Sequence, residues 1–253
     1  MSTTYIGVDL AWKSEKNNTG IVVLCGDAHS ASIFDVSEPI FGVASVVKHV
    51  LNFASKRTIV AVDAPLIIVN QVGQRSCEKA VGNRYGDRDA SCHSSNLQAY
   101  PDASSMRFAS ALREAGFQHG IEANATNAER TLIEVYPHAG MVALFDLPKI
   151  LKYKKGTLKA KRFGLQSLCD HICRLNGATP ALEKNPKFDQ LVYGNVDAMR
   201  GREMKRHEDS LDALFAAYLA LYLDAKGFEG CEIFGSLEEG YIVNPRLVIG
   251  GIA

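Results

Sequence analysis

The stretch Tyr5-Ile6-Gly7-Val8-Asp9-Leu10-Ala11-Trp12 limits the fold more tightly than any other part of the chain. It is an apolar run with one aspartate near its end and a glycine two residues before that acid. Runs of this length bounded by turn residues read as buried strands. A carboxylate there is costly unless something neutralises it or donates hydrogen bonds to it. Asp9 therefore calls for a metal ion, a donor-rich ligand or a set of backbone N–H groups. The pattern returns at Thr58-Ile59-Val60-Ala61-Val62-Asp63-Ala64-Pro65, where the proline stops the strand. Continuous apolar runs are expected of parallel strands covered on both faces. Side by side, the two strands would bring Asp9 and Asp63 out at one carboxyl edge, where open α/β sheets bind ligands.

The intervening residues fit that sheet. A polar turn (Lys13 to Asn18) leads to a second strand, Thr19 to Cys25, and Gly26-Asp27 is a hairpin turn into a third strand around Ser30 to Val36. Residues 39–56 place Ile40, Val43, Val46, Val47, Val50 and Leu51 at helical spacing. Strand, helix and parallel strand then form a right-handed crossover. Residues 66–130 break the rhythm, with Arg75, Cys77, Glu78, Cys92 and His93 and little periodicity before a helix near 103–115. Long irregular stretches inside compact domains are usually functional, so this one reads as an insertion beside the acidic edge. Thr131 to Pro137 is a further strand carrying Glu134, and Pro137 ends it. The expectation is one α/β domain over residues 1–253: a mixed sheet of antiparallel meander and parallel strands, flanking helices, and a helical and loop insertion at about 66–130.

Lys149, Lys152, Lys154, Lys155, Lys159, Lys161 and Arg162 form a run without an acid. Such runs are commonly solvated faces, but beside an acidic site Lys152, Lys154, Lys155 and Arg162 become candidate phosphate contacts, with Arg75. Leu165, Leu168, Cys169, Ile172 and Leu175 mark an amphipathic helix closed by Gly177. The last long helix is expected from near Glu208 to about Ala225, with a short edge hairpin beyond it. Asp209 and Asp212, three apart, share one helical face. Capping of a helix start would by itself account for Asp209, whereas Asp212 lies deeper among apolar residues. His207 reads as an exposed residue at that helix start. Arg75 and Glu78 read as a surface ion pair.

Twenty-eight basic and twenty-eight acidic residues give no net charge, so any attraction for a polyanion must be local. Six scattered cysteines in a chain this long suggest a reducing compartment. The spacing of Cys77, Cys92, His93 and His138 matches no regular zinc motif. No leader-like segment and no apolar span of about 20 residues is evident, so a cytoplasmic chain with no membrane partner is expected. The sequons at Asn17 and Asn124 then carry no meaning.

A cluster of Asp9, Asp63 and Asp212, with Glu134 or Asp209 beside them, would repel itself without a cation. All-oxygen donors suit Mg²⁺ or Mn²⁺, and paired ions of this kind clamp a phosphodiester during hydrolysis. The order of strand with Asp, hairpin strands, helix, strand with Asp and late helix with Asp209-Ser210-Leu211-Asp212-Ala213 resembles the ribonuclease H-like superfamily. The last motif is similar to that of its Holliday-junction resolvases. Gly7-Val8-Asp9, Val62-Asp63-Ala64-Pro65, Arg75 with Cys77-Glu78, Glu134 to Pro137 and Glu239 to Ile242 together resemble a domain-of-unknown-function family of predicted ribonuclease H-like nucleases. The resemblance implies a nuclease acting on DNA or RNA, with Asp9, Asp63, Glu134, Asp209 and Asp212 as catalytic residues and Asp9, Asp63 and Asp212 on the metal. A homodimer is left open. Two other classes fit parts of the pattern: an actin-like ATPase or phosphotransferase, and a non-catalytic binding protein of the same fold.

Overall fold

The computed structural model describes residues 2–122 and 129–252; Asn124 lies outside them. β1 (Thr3–Asp9), β2 (Gly20–Gly26) and β3 (Ser30–Val36) form the antiparallel meander. α1 (Val43–Phe53) crosses to β4 (Thr58–Val62), which pairs parallel with β1. α2 (Ser76–Tyr85) and α3 (Ser104–Glu114) follow. Next come the short β5 (Gln118–His119) and β6 (Arg130–Glu134), which pair with each other, and β6 pairs parallel with β4. Then come α4 (Pro137–Leu144), α5 (Leu158–Arg174), β7 (Ala181–Glu183), α6 (Pro186–Val192) and the long α7 (Gly201–Lys226). The result is a seven-stranded mixed sheet in the order β5-β6-β4-β1-β2-β3-β7. β8 (Cys231–Ser236) and β9 (Gly240–Pro245) form a separate hairpin, tied to the end of β6 by a bridge from Val135 to Val243.

Strand side chains alternate between faces, so the sheet separates two cores. Ile6, Val8, Val60, Val62 and Leu132 pack with Val46, Val50, Phe108 and Leu112 under α1 and α3. Tyr5, Ala61 and Ile133 pack on the other side with Leu214, Phe215 and Ala217 of α7. Here α7 needs glycines beneath it. A Cβ on Gly7 would stand 1.9 Å from the Ala213 carbonyl oxygen, and one on Gly20 would stand 2.5 Å from that of Asp209. That close approach lays the acidic stretch of α7 across the carboxyl end of β1.

Several expectations change. The last helix begins at Gly201, not near Glu208, so Asp209 is more than two turns inside it and caps nothing. His207 is correspondingly buried rather than exposed. Pro137 ends β6 and also opens α4, where its missing N–H costs no hydrogen bond. Within the 66–130 stretch, α2 packs on the α7 side of the sheet, α3 on the opposite side, and β5 extends the sheet edge. Among the described residues, no helix is long and apolar enough to cross a membrane.

Candidate functional site

Register brings the strand-end acids together. Val8 stands opposite Val62, and Val62 opposite Glu134. The Asp63 amide donates to the Val8 carbonyl at 2.9 Å, and the Val135 amide to that of Val62 at 3.0 Å. Asp9, Asp63 and Glu134 therefore follow one another across adjacent strands at one edge, and α7 adds Asp209 and Asp212 from above. Asp9 and Asp63 are half-buried, and the other three are buried.

These acids divide into two groups. Glu134 belongs to a closed network. The Arg75 guanidinium donates to Glu134 at 3.0 and 2.5 Å and to Glu78 at 2.9 Å, while the Leu66 amide donates to Glu134 at 2.8 Å. Glu78 also accepts from the Arg75 amide at 3.0 Å, the Ser95 amide at 3.2 Å and the Ser95 hydroxyl. Burial pushes the Glu134 carboxyl up, against the opposing pull of Arg75 and the Leu66 amide. Arg75 is raised because its carboxylates outweigh its desolvation. The β8–β9 turn covers this network: a Cβ on Gly240, at φ +89°, would lie 2.6 Å from the Ile67 carbonyl oxygen and 2.9 Å from the guanidinium. This corrects the reading of Arg75 and Glu78 as a surface pair. Arg75 is 3 % exposed and faces carboxylates, so it cannot serve as a phosphate contact. Both oxygens of Glu134 are engaged by Arg75, and one of them also by the Leu66 amide.

The second group is Asp9, Asp63 and Asp212, and the cation paired with it is Lys154. Its Nζ lies 2.8 Å from Asp212 Oδ2, and the Tyr153 hydroxyl donates to Asp212 Oδ1 at 2.6 Å. Both oxygens of Asp212 thus have a partner, Oδ2 being held by the charge of Lys154. Desolvation works against the Lys154 ammonium, yet Asp212, Asp9 and Asp63 together raise its pKa. Burial pushes Asp9 well above the usual carboxylate range; Lys154 pulls it down, while Asp212, Asp63 and Asp209 push it up. Asp63 is pushed to about 7 by burial, with Lys154 opposing and Asp212 and Glu134 adding. Asp209 stands slightly apart, held by Lys205 at 2.6 Å and by the Asn18 side-chain amide at 3.2 Å.

The segment that carries Lys154 is anchored. Tyr153 is fully buried, the Ile150 amide donates to the Arg88 carbonyl at 3.0 Å, and Gly164 of α5 leaves room for the Lys152 backbone. The rest of the basic run behaves differently from expectation. Lys149 and Lys152 lie 3.2 and 3.9 Å from Asp89. Arg162 is turned inward, donating to the Met199 carbonyl at 3.1 Å. Lys155 is exposed and close enough to Lys13 to help depress its pKa, after the larger effect of burial.

The donor chemistry of Asp9, Asp63 and Asp212 is of the all-oxygen kind that suits a hard divalent ion. Among the described residues, however, no three His, Cys, Asp or Glu side chains are gathered into a ready metal cage. An ion on Asp212 Oδ2 would have to take the place that Lys154 Nζ holds at 2.8 Å. Sequence reasoning passed over Glu208, Tyr153, Lys205 and Trp12. Glu208 and Lys205 had a signal, the Lys205-Glu208-Asp209-Asp212 spacing along one helix; Tyr153 had only its place beside Lys154. Asp9 opens onto a groove of about 970 Å³, and Asp63 onto a cavity of about 80 Å³ on the other side of Trp12.

A family model described as a protein of unknown function (DUF429) matches residues 7–230. No curated protein matches the chain.

Proposed function

The chain belongs to the protein-of-unknown-function family DUF429, and on that premise we propose that it is a divalent-metal-dependent phosphodiester hydrolase on a ribonuclease H-like sheet. The order β3-β2-β1-β4-β6, an antiparallel meander continued by parallel strands with a late acidic helix across it, supports that fold. The observation that carries the function is the convergence of Asp9, Asp63 and Asp212 on the Lys154 ammonium, with burial raising the pKa of Asp9 and Asp63. A carboxylate kept in that condition is stabilised by a cation that bonds to it directly.

Asp9, Asp63 and Asp212 hold Mg²⁺ or Mn²⁺ in this reading. The ion, when bound, polarises a phosphoryl oxygen and acidifies a water. The Tyr153 hydroxyl fixes Asp212 by its second oxygen. Lys205 and Asn18 orient Asp209 at the groove wall, and the Arg75 network holds the β6 end rigid. Lys154, paired with Asp212 here, would have to yield Oδ2 to a bound ion, and its ammonium would then be available to the substrate's phosphate. The test is cleavage of labelled single-stranded, duplex and branched DNA and RNA with Mn²⁺. Asp9→Asn should abolish cleavage and leave the thermal midpoint within a few degrees of wild type; retained cleavage contradicts the assignment.

A second reading has its own observation. The Lys154 ion pair and the lack of a ready cage also suit a binding protein in which lysine replaces the metal for good. Absence of Mn²⁺ binding by both wild type and Lys154→Met would favour it.

A further inference from the structure

The groove beside Asp9 differs in chemistry from the small cavity beside Asp63, which is lined by Arg75, Glu78 and Glu134. The groove's walls come from the β1–β2 connection and the first turns of α7, which supply Lys13, Lys16, Arg202, Lys205 and Arg206. Two of these cations are already committed, Lys205 to Glu208 and Asp209, and Arg206 to Glu38. Lys13, Lys16 and Arg202 are exposed and enter no ion pair among the described residues, and the Lys13 ammonium lies over the Trp12 and Tyr100 rings at 5.1 and 5.7 Å. Two aromatic rings line the same walls. Phe41 is 51 % exposed. Trp12 is half-exposed and firmly placed: its ring packs edge-on against Tyr100 at 4.7 Å, and its carbonyl accepts from the Ser104 amide at 3.3 Å. The acids of the groove, Asp9 and Asp209, lie together at one end of this basic and aromatic surface.

Free cations interleaved with exposed rings are what a single strand needs, phosphates meeting charge and unstacked bases meeting π-faces. A duplex keeps its bases stacked inside and offers nothing to Phe41 or Trp12. We propose that the groove binds single-stranded nucleic acid, with phosphates on Lys13, Lys16 and Arg202 and bases against Trp12 and Phe41, and delivers the strand to Asp9. The inference deepens the hydrolase reading of the same site and rests on it for the delivery alone. It also adds Lys13, Lys16 and Arg202 to the candidate phosphate contacts, none of them in the Lys149–Arg162 run.

The test measures fluorescence anisotropy of labelled oligothymidylate, oligouridylate and a blunt duplex, in EDTA so that no cleavage occurs. One or both single strands should bind more tightly than the duplex, with log affinity against log salt falling with a slope of about −2 for three phosphate contacts. The two single-strand arms decide between DNA and RNA. The double variant Lys16→Glu/Arg202→Glu should lose at least about tenfold, and Phe41→Ala about fivefold or more. Lys149→Glu/Lys152→Glu should bind as wild type. Circular dichroism and thermal midpoints confirm that each variant is folded. Equal binding of the duplex, equal binding of polyglutamate, or unchanged affinity in both groove variants overturns the inference. The hydrolase reading fails separately: intact groove binding with no cleavage in Mn²⁺ removes the hydrolase and leaves the groove. Cleavage that groove variants leave untouched removes the groove and leaves the hydrolase.

Discussion

Two groups of buried acids sit side by side at the carboxyl edge of this sheet, and they are treated in opposite ways. Around Glu134 and Glu78, a bidentate guanidinium, three backbone amides and a serine hydroxyl satisfy every oxygen. Around Asp9, Asp63 and Asp212, Lys154 faces three carboxylates and pairs directly with Asp212, while Lys205 acts on Asp63 by charge alone. The first arrangement is complete in itself. The second is under-neutralised in a way that a divalent ion would correct. The contrast teaches that an acid at a strand end is a site candidate only if its partners leave it something to do.

Breaking the complete network should have the largest effect. Arg75→Leu strands Glu134 and Glu78 without their cation, and loss of one partner of a buried ion pair costs about 3–5 kcal/mol. Urea denaturation should show a loss of that size, or no folded protein; a loss under about 1 kcal/mol would mean the two clusters are alike. Lys154→Met should cost less, about 1–2 kcal/mol near neutral pH, because Asp9 and Asp63 already favour protonation. Mn²⁺ titration should restore that loss and show tighter binding than wild type, since no ammonium competes.

A subtler contrast comes from pH. The folded pKa of Asp63, about 7, lies above its ordinary value. Its contribution is therefore fully present below about pH 4 and lost as pH rises through 7. His138, pushed down to about 4 by burial, acts in the opposite sense. Its contribution is full above about 6.5 and lost as pH falls through 4. In wild type the two slopes oppose each other between pH 4 and 6.5. Asp63→Asn should leave the His138 slope alone, so the variant loses stability on acidification more steeply than wild type and is about 1 kcal/mol more stable at pH 8. Thermal melts across pH 4 to 8 read both. The smallest effect belongs to Lys149→Ala, which loses only an exposed pair with Asp89. It should stay within about 0.5 kcal/mol of wild type.

Much of this edge was legible in the chain itself. The apolar runs ending in Asp9 and Asp63, the hairpin between them and the acid of β6 were visible as pattern, and strand register did the rest. The close approach of α7 to the sheet, which Gly7 and Gly20 make possible, is a matter of packing at Ala213, Ala217 and Asp209. The helix start was misplaced because Arg202 to Arg206 carries no apolar period, although it lies on the exposed first turns of α7. Partner choice was illegible for a different reason. Arg75 and Lys154 both look like surface cations in sequence, and only tertiary packing decides that one closes a network while the other enters an acid pocket. The cations that line the groove came from two segments about 190 positions apart, a separation no local spacing rule crosses.

The most direct test of the unfinished cluster is calorimetric titration of Mn²⁺ into wild type and Asp9→Asn, both checked for folding. Saturable binding by wild type that is lost in Asp9→Asn is the expected result. No binding by either protein, or equal binding by both, would contradict the claim that Asp9, Asp63 and Asp212 await a divalent cation.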